Sequence, residues 1–141
     1  MTPASAFERY RAVLQTLTGD SLDELDTVVS PQVVFCDPLN KVEGANKMKA
    51  AFAHLFDAAT DVHYVIDDVA YGEHGAYFRW NLTATLSGKP WSVDGVTHVV
   101  FDGAGLVTHH TEYWDAASQL FARFPVIGPL LRFARRRLAI S

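Results

Sequence analysis

Cysteine is nearly absent from this sequence, since Cys36 is the only one among its 141 residues. A lone cysteine excludes an internal disulfide and any zinc site built on clustered cysteines. The six histidines also lack metal-ligand spacing, such as a helical pair of histidines beside an acid. We therefore expect no bound metal, and a reducing compartment such as the cytoplasm suits the chain.

Long apolar runs, glycine-rich phosphate loops and an excess of basic residues are missing too. No uncharged run approaches the roughly 18 residues of a membrane span, and residues 1–5 lack the features of a signal peptide. Gly103 and Gly105 lie between two predicted strands rather than before a helix, so we expect no nucleotide or other cofactor. With 12 basic and 16 acidic residues the net charge is −4, which disfavours a nucleic acid partner.

The composition that remains is typical of one globular domain with an unusual tail. Hydrophobic residues make up 49% of the chain and charged residues 20%, which excludes a disordered linker. Residues 121–141 carry five arginines and no acid, whereas the rest has seven basic and 16 acidic residues, a net charge of −9. We divide the chain into a domain over residues 1–115 and an amphipathic, cationic helical extension over residues 116–141.

The apolar pattern changes from helical to strand periodicity along the chain. It predicts helices over residues 3–18 and 21–30 and a third helix after Gly44, with Ser5 and Glu8 as a capping box of the first. It predicts strands over residues 32–37, 62–70, 76–86, 91–101 and 106–114. Helices followed by an antiparallel meander indicate an α+β fold.

The strand over residues 76–86 has two unlike faces, because strand side chains alternate. One face carries Phe78, Trp80 and Leu82. The other face carries Tyr77, Arg79 and Asn81. We expect the first face to form a homodimer contact and the second to lie beneath the helices in a cavity. The alternative is a core on both faces, with Arg79 extending from its edge.

Asp37 is the first candidate for chemistry. It follows the apolar run of residues 33–36 and precedes Pro38, which places it at the end of a buried strand. A partly desolvated carboxylate there would be a good general base. The alternative is a structural Asp-Pro turn or a helix cap.

Glu112 is the second candidate, on a strand face that it shares with His110 and Trp114. Arg79 lies on a neighbouring strand and could meet Glu112 across the sheet. Such a pair inside a cavity can orient a water molecule or polarise a substrate oxygen, although buried pairs also occur as plain structure.

The cationic tail allows more than one interpretation. Its helical spacing resumes after Asp115, breaks at Gly128-Pro129 and continues to Leu138. Such an element can pack on its own domain or on a dimer mate, and it can also contact an anionic membrane surface peripherally.

Two stretches of sequence carry a family resemblance. Val34-Phe35-Cys36-Asp37-Pro38 is followed by Glu43-Gly44 and a helix, and residues 101–115 form the ending FDGAGLVTHHTEYWD. With the element order, these resemble the nuclear transport factor 2-like superfamily, which includes ketosteroid isomerases, SnoaL-like polyketide cyclases and limonene epoxide hydrolase. The resemblance implies a cystatin-like cone, in which N-terminal helices pack on a strongly curved antiparallel sheet and enclose a pocket.

The resemblance also implies roles for individual residues. Compared with ketosteroid isomerase, Asp37 stands at the general base, Tyr10 at the tyrosine that donates to the enolate oxygen, and Thr97 at the second oxyanion donor. Glu112 or His110 would return the proton. Compared with limonene epoxide hydrolase, the arginine and the two acids that hold the water correspond to Arg79, Asn81 and Glu112.

We therefore expect a mainly apolar pocket for a small hydrophobic molecule. Its predicted lining is Tyr10, Phe35, Phe52, Phe56, Tyr77, Asn81, Trp91, Val93, Val99, His110 and Trp114. The expected activity is isomerisation or cyclisation of a hydrophobic carbonyl compound. The alternatives are an epoxide hydrolase-like enzyme and a non-catalytic binding or dimeric interaction module.

Overall fold

The computed structural model describes residues 1–140 as helices packed on one curved sheet. Its helices are α1 (Pro3–Thr16), α2 (Ala45–Ala58), α3 (Ala116–Gln119) and α4 (Ile127–Leu138), with 3₁₀ turns at Leu22–Thr27 and Phe121–Arg123. Its strands are β1 (Val29–Cys36), β2 (Lys41–Glu43), β3 (Ala59–Gly72), β4 (Gly75–Leu86), β5 (Lys89–Phe101) and β6 (Val107–Tyr113). The expected order of helices followed by a meander is confirmed.

All six strands belong to a single sheet of order β2-β1-β6-β5-β4-β3. The pairs from β3 to β6 are antiparallel, whereas β1 runs parallel to β6 and places Phe35 opposite His110. The register shifts between Ile66 and Asp68 in the pairing of β3 with β4. Such irregularities increase local twist, which is the way a sheet curves around helices.

Helix α1 packs on the concave face of the sheet. Phe7, Tyr10 and Leu14 recur at helical spacing and are buried against it. The N-cap of the helix lies three residues before the predicted cap Ser5, because the Thr2 hydroxyl accepts a hydrogen bond from the Ser5 amide. Ser5 is therefore inside the helix, where its own side chain cannot act as the cap.

The second predicted helix is a 3₁₀ turn that α2 holds in place. Leu25 is its fully buried anchor. Lys49 of α2 contacts Asp23 at 3.1 Å and Asp26 at 2.8 Å, and hydrogen bonds to these two carboxylates raise the pKa of Lys49. This small charged cluster connects the turn to α2 on the side away from the sheet interior.

The faces of β4 are the reverse of the prediction. Phe78, Trp80 and Leu82 point inward and are at most 8% exposed, so they cannot form a dimer contact. Tyr77 and Arg79 point outward, and the Arg79 Nε lies 3.4 Å from Asp67 Oδ1. A concave sheet needs its larger apolar side chains inside, and the outer face can then carry polar ones. The homodimer itself stays a prediction.

The C-terminal segment returns along the edge of the β4–β5 hairpin. The Asp115 side chain caps α3, and the Arg123 guanidinium donates to the carbonyl oxygens of Leu86 and Pro90 at 3.0 and 2.9 Å. Helix α4 follows this anchored segment. Within residues 1–140, no helix has both the length and the apolarity needed to cross a bilayer.

Candidate functional site: an apolar cavity with a histidine–glutamate pair

A cavity of about 800 Å³ lies between the helices and the concave face of the sheet. Apolar side chains from the helices, the sheet and the C-terminal segment line it: Leu14, Leu17, Phe35, Ala51, Phe52, Leu55, Phe56, Val62, Trp80, Leu82, Leu86, Trp91, Val93, Trp114 and Leu120. Polar side chains line it as well: Gln15, Thr16, Asp37, Asn40, His54, His63, Tyr64, His110 and Glu112. This volume and lining suit a hydrophobic molecule with a few polar groups.

His110 is the centre of the polar wall. Its Nδ1 lies 2.7 Å from the Tyr10 hydroxyl, and its Nε2 lies 2.9 Å from Glu112 Oε2. The Phe35 ring stacks on the imidazole with 5.1 Å between centroids and 28° between planes. Because both nitrogens are bonded and one face is covered, the imidazole is held in one orientation.

The direction of these hydrogen bonds follows from Tyr10. Burial and, secondarily, the charge of Glu112 raise the pKa of Tyr10 well above its usual value, so this hydroxyl keeps its proton. We assign the Tyr10 hydroxyl as donor to Nδ1 of His110. With Nδ1 as the acceptor, the Nε2–H of His110 donates to Oε2 of Glu112.

A second polar group consists of Tyr64, Trp80 and Thr97. The Trp80 Nε1–H donates to the Thr97 hydroxyl at 2.8 Å, and the Trp80 ring lies 5.5 Å from the Tyr64 ring. Burial is the main cause of a strongly raised pKa of Tyr64, Glu112 and Tyr10 add to it, and a hydrogen bond with Thr97 opposes it. Tyr64 therefore keeps its proton and presents a phenol in the cavity wall.

Asp37 lies in the cavity wall, but its carboxylate forms a turn. Its Oδ1 accepts hydrogen bonds from the amides of Leu39 and Asn40 at 2.7 and 2.6 Å, and the Asn40 side chain reaches both oxygens. This is the structural alternative for an Asp-Pro sequence. Asp37 is half-buried, which agrees with the expected partial desolvation, and its role as a general base stays a prediction.

Three other predicted site residues lie outside the cavity. Tyr77 stacks on His98 on the outer face, and the side chains of Arg79 and Asn81 meet Asp67 and Asp94 there. Arg79 and Asn81 cannot meet Glu112, which faces the interior. The arrangement expected from limonene epoxide hydrolase is therefore wrong for this chain, because alternation places the two groups on opposite faces of the sheet.

The remaining predicted residues divide between the wall and the layer behind it. The wall includes Phe35, Phe52, Phe56, Trp91, Val93, His110, Glu112 and Trp114, as expected. Tyr10, Thr97 and Val99 are fully buried behind it and do not line the cavity. The hydroxyls of Tyr10 and Thr97 are engaged by His110 and Trp80, which corrects their expected role as direct oxyanion donors.

Sequence reasoning missed Tyr64 and the inward position of Trp80. Alternation places Tyr64 on one face with Ile66, but the pairing of β3 with β4, which sets both beside the buried Leu82 and Trp80, is what identifies that face as the inner one. In the part of the chain that the structure describes, no three His, Cys, Asp or Glu side chains converge as ligands for a metal ion.

Comparisons with known proteins agree with this architecture. The profile of the SnoaL-like domain family matches residues 8–110, which is most of the chain. The chain belongs to the SnoaL-like family. No curated protein matches this SnoaL-like chain significantly.

Solved structures share the fold at low sequence identity. An NTF2-like protein of unknown function from Exiguobacterium sp. 255-15 is 17% identical with a TM-score of 0.68, over 78% of this chain and 98% of that one. A candidate SnoaL-like polyketide cyclase from Jannaschia sp. CCS1 is 19% identical with a TM-score of 0.69, over 82% and 87%. TerC, co-crystallised with polyporic acid, is 14% identical with a TM-score of 0.70, over 83% and 95%. The predicted cone-shaped, NTF2-like α+β fold is confirmed.

Proposed function

We propose that this SnoaL-like protein binds a hydrophobic, ring-containing carbonyl compound in its cavity and transfers a proton at the carbon beside the carbonyl. The observation that carries the proposal is the 2.9 Å hydrogen bond between His110 and Glu112 in the wall of a mainly apolar cavity. The polyketide cyclase-like neighbour and the neighbour crystallised with polyporic acid support this substrate class.

Glu112 is the base in this proposal, in place of Asp37. Its side chain is 16% exposed, and among the described residues its hydrogen bond to His110 involves Oε2 alone. Oε1 is therefore available to take a proton from a ligand. His110 and Tyr10 are positioning residues, because they orient Glu112. His110 also lines the cavity, whereas Tyr10 lies behind its wall.

In this proposal Tyr64 is the oxyanion donor. Its hydroxyl keeps its proton at neutral pH, because burial raises the pKa of Tyr64. Proton transfer from the ligand carbon to Glu112 leaves an enolate, and a phenol in the wall stabilises the enolate oxygen. Return of the same proton at another carbon completes an isomerisation. Attack of the enolate carbon on a second carbonyl, followed by protonation of that oxygen, completes a cyclisation.

The second candidate function is ligand binding without catalysis. It is favoured by the engagement of the Tyr10 and Thr97 hydroxyls behind the wall, because neither of these residues lines the cavity. In this case the His110–Glu112 pair selects a ligand through one polar group and performs no proton transfer.

The test is exchange of the α-proton of cyclic diketones and hydroxynaphthoquinones in D₂O, followed by NMR, with binding measured by tryptophan fluorescence. Glu112→Gln should slow exchange by about a hundredfold or more while affinity changes little, because the amide cannot accept the proton. Asp37→Asn, which can keep the turn, is the matched control and should remain close to the unmodified protein. Equal exchange rates for Glu112→Gln and the unmodified protein would remove Glu112 from the mechanism. If both proteins bind the compounds and neither exchanges the proton, the function is ligand binding without catalysis.

A further inference from the structure

Helix α4 is exposed around nearly its whole circumference. Leu130 is 65% exposed and Phe133 52%, and Gly128 is the helix's single buried residue among those described. The helix meets the rest of the chain in its first two turns. Gly128 passes so close to the Ala122 carbonyl that a side chain would collide with it, and the Arg132 guanidinium donates to the same carbonyl at 3.4 Å. Leu131 is partly buried, whereas Ile127, Leu130, Phe133 and Leu138 are exposed.

The two sides of α4 differ in chemistry. Successive residues of a helix are rotated by about 100°, so Ile127, Leu130, Ala134 and Leu138 share one side. Arg132, Arg135 and Arg136 lie on the other side. Arg137 borders the apolar side, and its guanidinium lies 5.4 Å from the centre of the Phe133 ring.

The charge of this segment has one sign only. Residues 121–141 hold five arginines and no acid, whereas the rest of the chain has a net charge of −9. Ordinary protein surfaces intersperse both signs. An exposed helix with cations alone on one side is complementary to a dense array of anions.

We propose that α4 docks on the surface of an anionic lipid bilayer. Its apolar side would enter the boundary between headgroups and acyl chains, and its arginines would contact the lipid phosphates. A bilayer surface offers an apolar layer to one side of the helix and anions to the other side at the same time. An acidic protein surface, including that of a second copy, would attract the arginines but leave the apolar side in water, and an apolar groove would do the reverse.

The experiment is flotation of the full chain with phosphatidylcholine vesicles, with and without phosphatidylglycerol. We expect binding to the anionic vesicles, weakened by high salt because exposed charges are screened. Arg132→Gln/Arg135→Gln/Arg136→Gln should reduce the partition coefficient about tenfold or more. Leu130→Ser/Phe133→Ser should reduce it to a similar extent, through lost apolar burial.

The matched control is Lys41→Gln/Lys47→Gln/Lys89→Gln, which removes the same number of exposed cations elsewhere on the surface. This control should float like the unmodified protein. A similar loss in the control, or equal binding to neutral and anionic vesicles, would overturn the proposal. The proposal is also overturned if the chain binds no vesicles and sedimentation shows a dimer that Leu130→Ser/Phe133→Ser dissociates. In that case the helix docks on a second copy of the chain.

Discussion

His110 and Glu112 lie on the same face of β6 and share a hydrogen bond of 2.9 Å, although His110 is 1% exposed and Glu112 is 16% exposed. The pair therefore connects the closed core to the cavity. Through Nδ1 of His110 the connection continues to Tyr10 in α1, so helix and sheet are joined by side chains at the same place where the cavity wall is polar.

Tyr10→Phe should alter stability in two opposite ways. Near neutral pH it loses the hydrogen bond to His110, which costs about 1 kcal/mol. Burial raises the pKa of Tyr10, so ionisation favours the unfolded chain, and the free energy of unfolding falls as pH rises above the ordinary tyrosine value of about 10. The variant should show a shallower alkaline fall in urea unfolding measured from pH 8 to 11.5. An unchanged alkaline slope would contradict the burial of this hydroxyl.

Gly95→Ala should destabilise the protein by about 1–3 kcal/mol, because the added methyl group would collide with the Trp80 ring. Gly103→Ala is the control, since no atom lies within 4 Å of a Cβ there. Thermal unfolding of both variants measures the difference. In a double-mutant cycle, Trp80→Phe should recover part of the loss, and simple additivity of the two substitutions would show that the ring does not lie over Gly95.

Ala51→Trp should fill part of the cavity. Ala51 lines it from α2, whereas the preceding Ala50 faces solvent and serves as the matched site. We expect Ala51→Trp to weaken binding of the apolar dye anilinonaphthalene sulfonate about tenfold, and Ala50→Trp to leave it unchanged. Fluorescence titration gives both affinities. Equal affinities for the two variants would place the dye outside the cavity.

Arg123→Ala should release the C-terminal segment without unfolding the domain. The Arg123 guanidinium is bonded to two carbonyl oxygens of the β4–β5 hairpin, and the Trp91 indole bonds the Gln119 carbonyl at 2.6 Å. Amide hydrogen exchange over residues 116–123 should become faster, while protection of β5 stays the same. Arg136→Ala, at an exposed position of α4, is the control. Equal protection in both variants would mean that Arg123 does not anchor the segment.

Strand and helix positions were predictable because periodicity is local. The strand over 76–86 was placed within one residue of β4, Gly75–Leu86, yet its inner and outer faces were exchanged. Alternation separates Trp80 from Arg79 but does not say which of them faces the helices. That choice depends on the pairing with β3 and β5, which involves residues far away in the sequence.

The candidate site residues also divide into those that local spacing predicts and those that long-range contacts decide. Glu112 and His110 share a face by spacing alone, and both line the cavity as expected. Asp37 could not be assigned in this way, because its two amide partners depend on the backbone of the turn that follows. The contact of Tyr10 with His110 joins residues a hundred positions apart, and no local pattern contains it.

The sequence by itself determined the α+β order, the tail whose charged residues are all arginines, and the presence of a histidine and a glutamate on one strand face. Each of these depends on neighbouring residue types and spacing. Only the tertiary structure decided which sheet face encloses the cavity, which carboxylate lines it with one oxygen free of hydrogen bonds, and that most side chains of α4 are exposed. Those outcomes are set by long-range packing, since burial and hydrogen bonding depend on what the rest of the chain brings into contact.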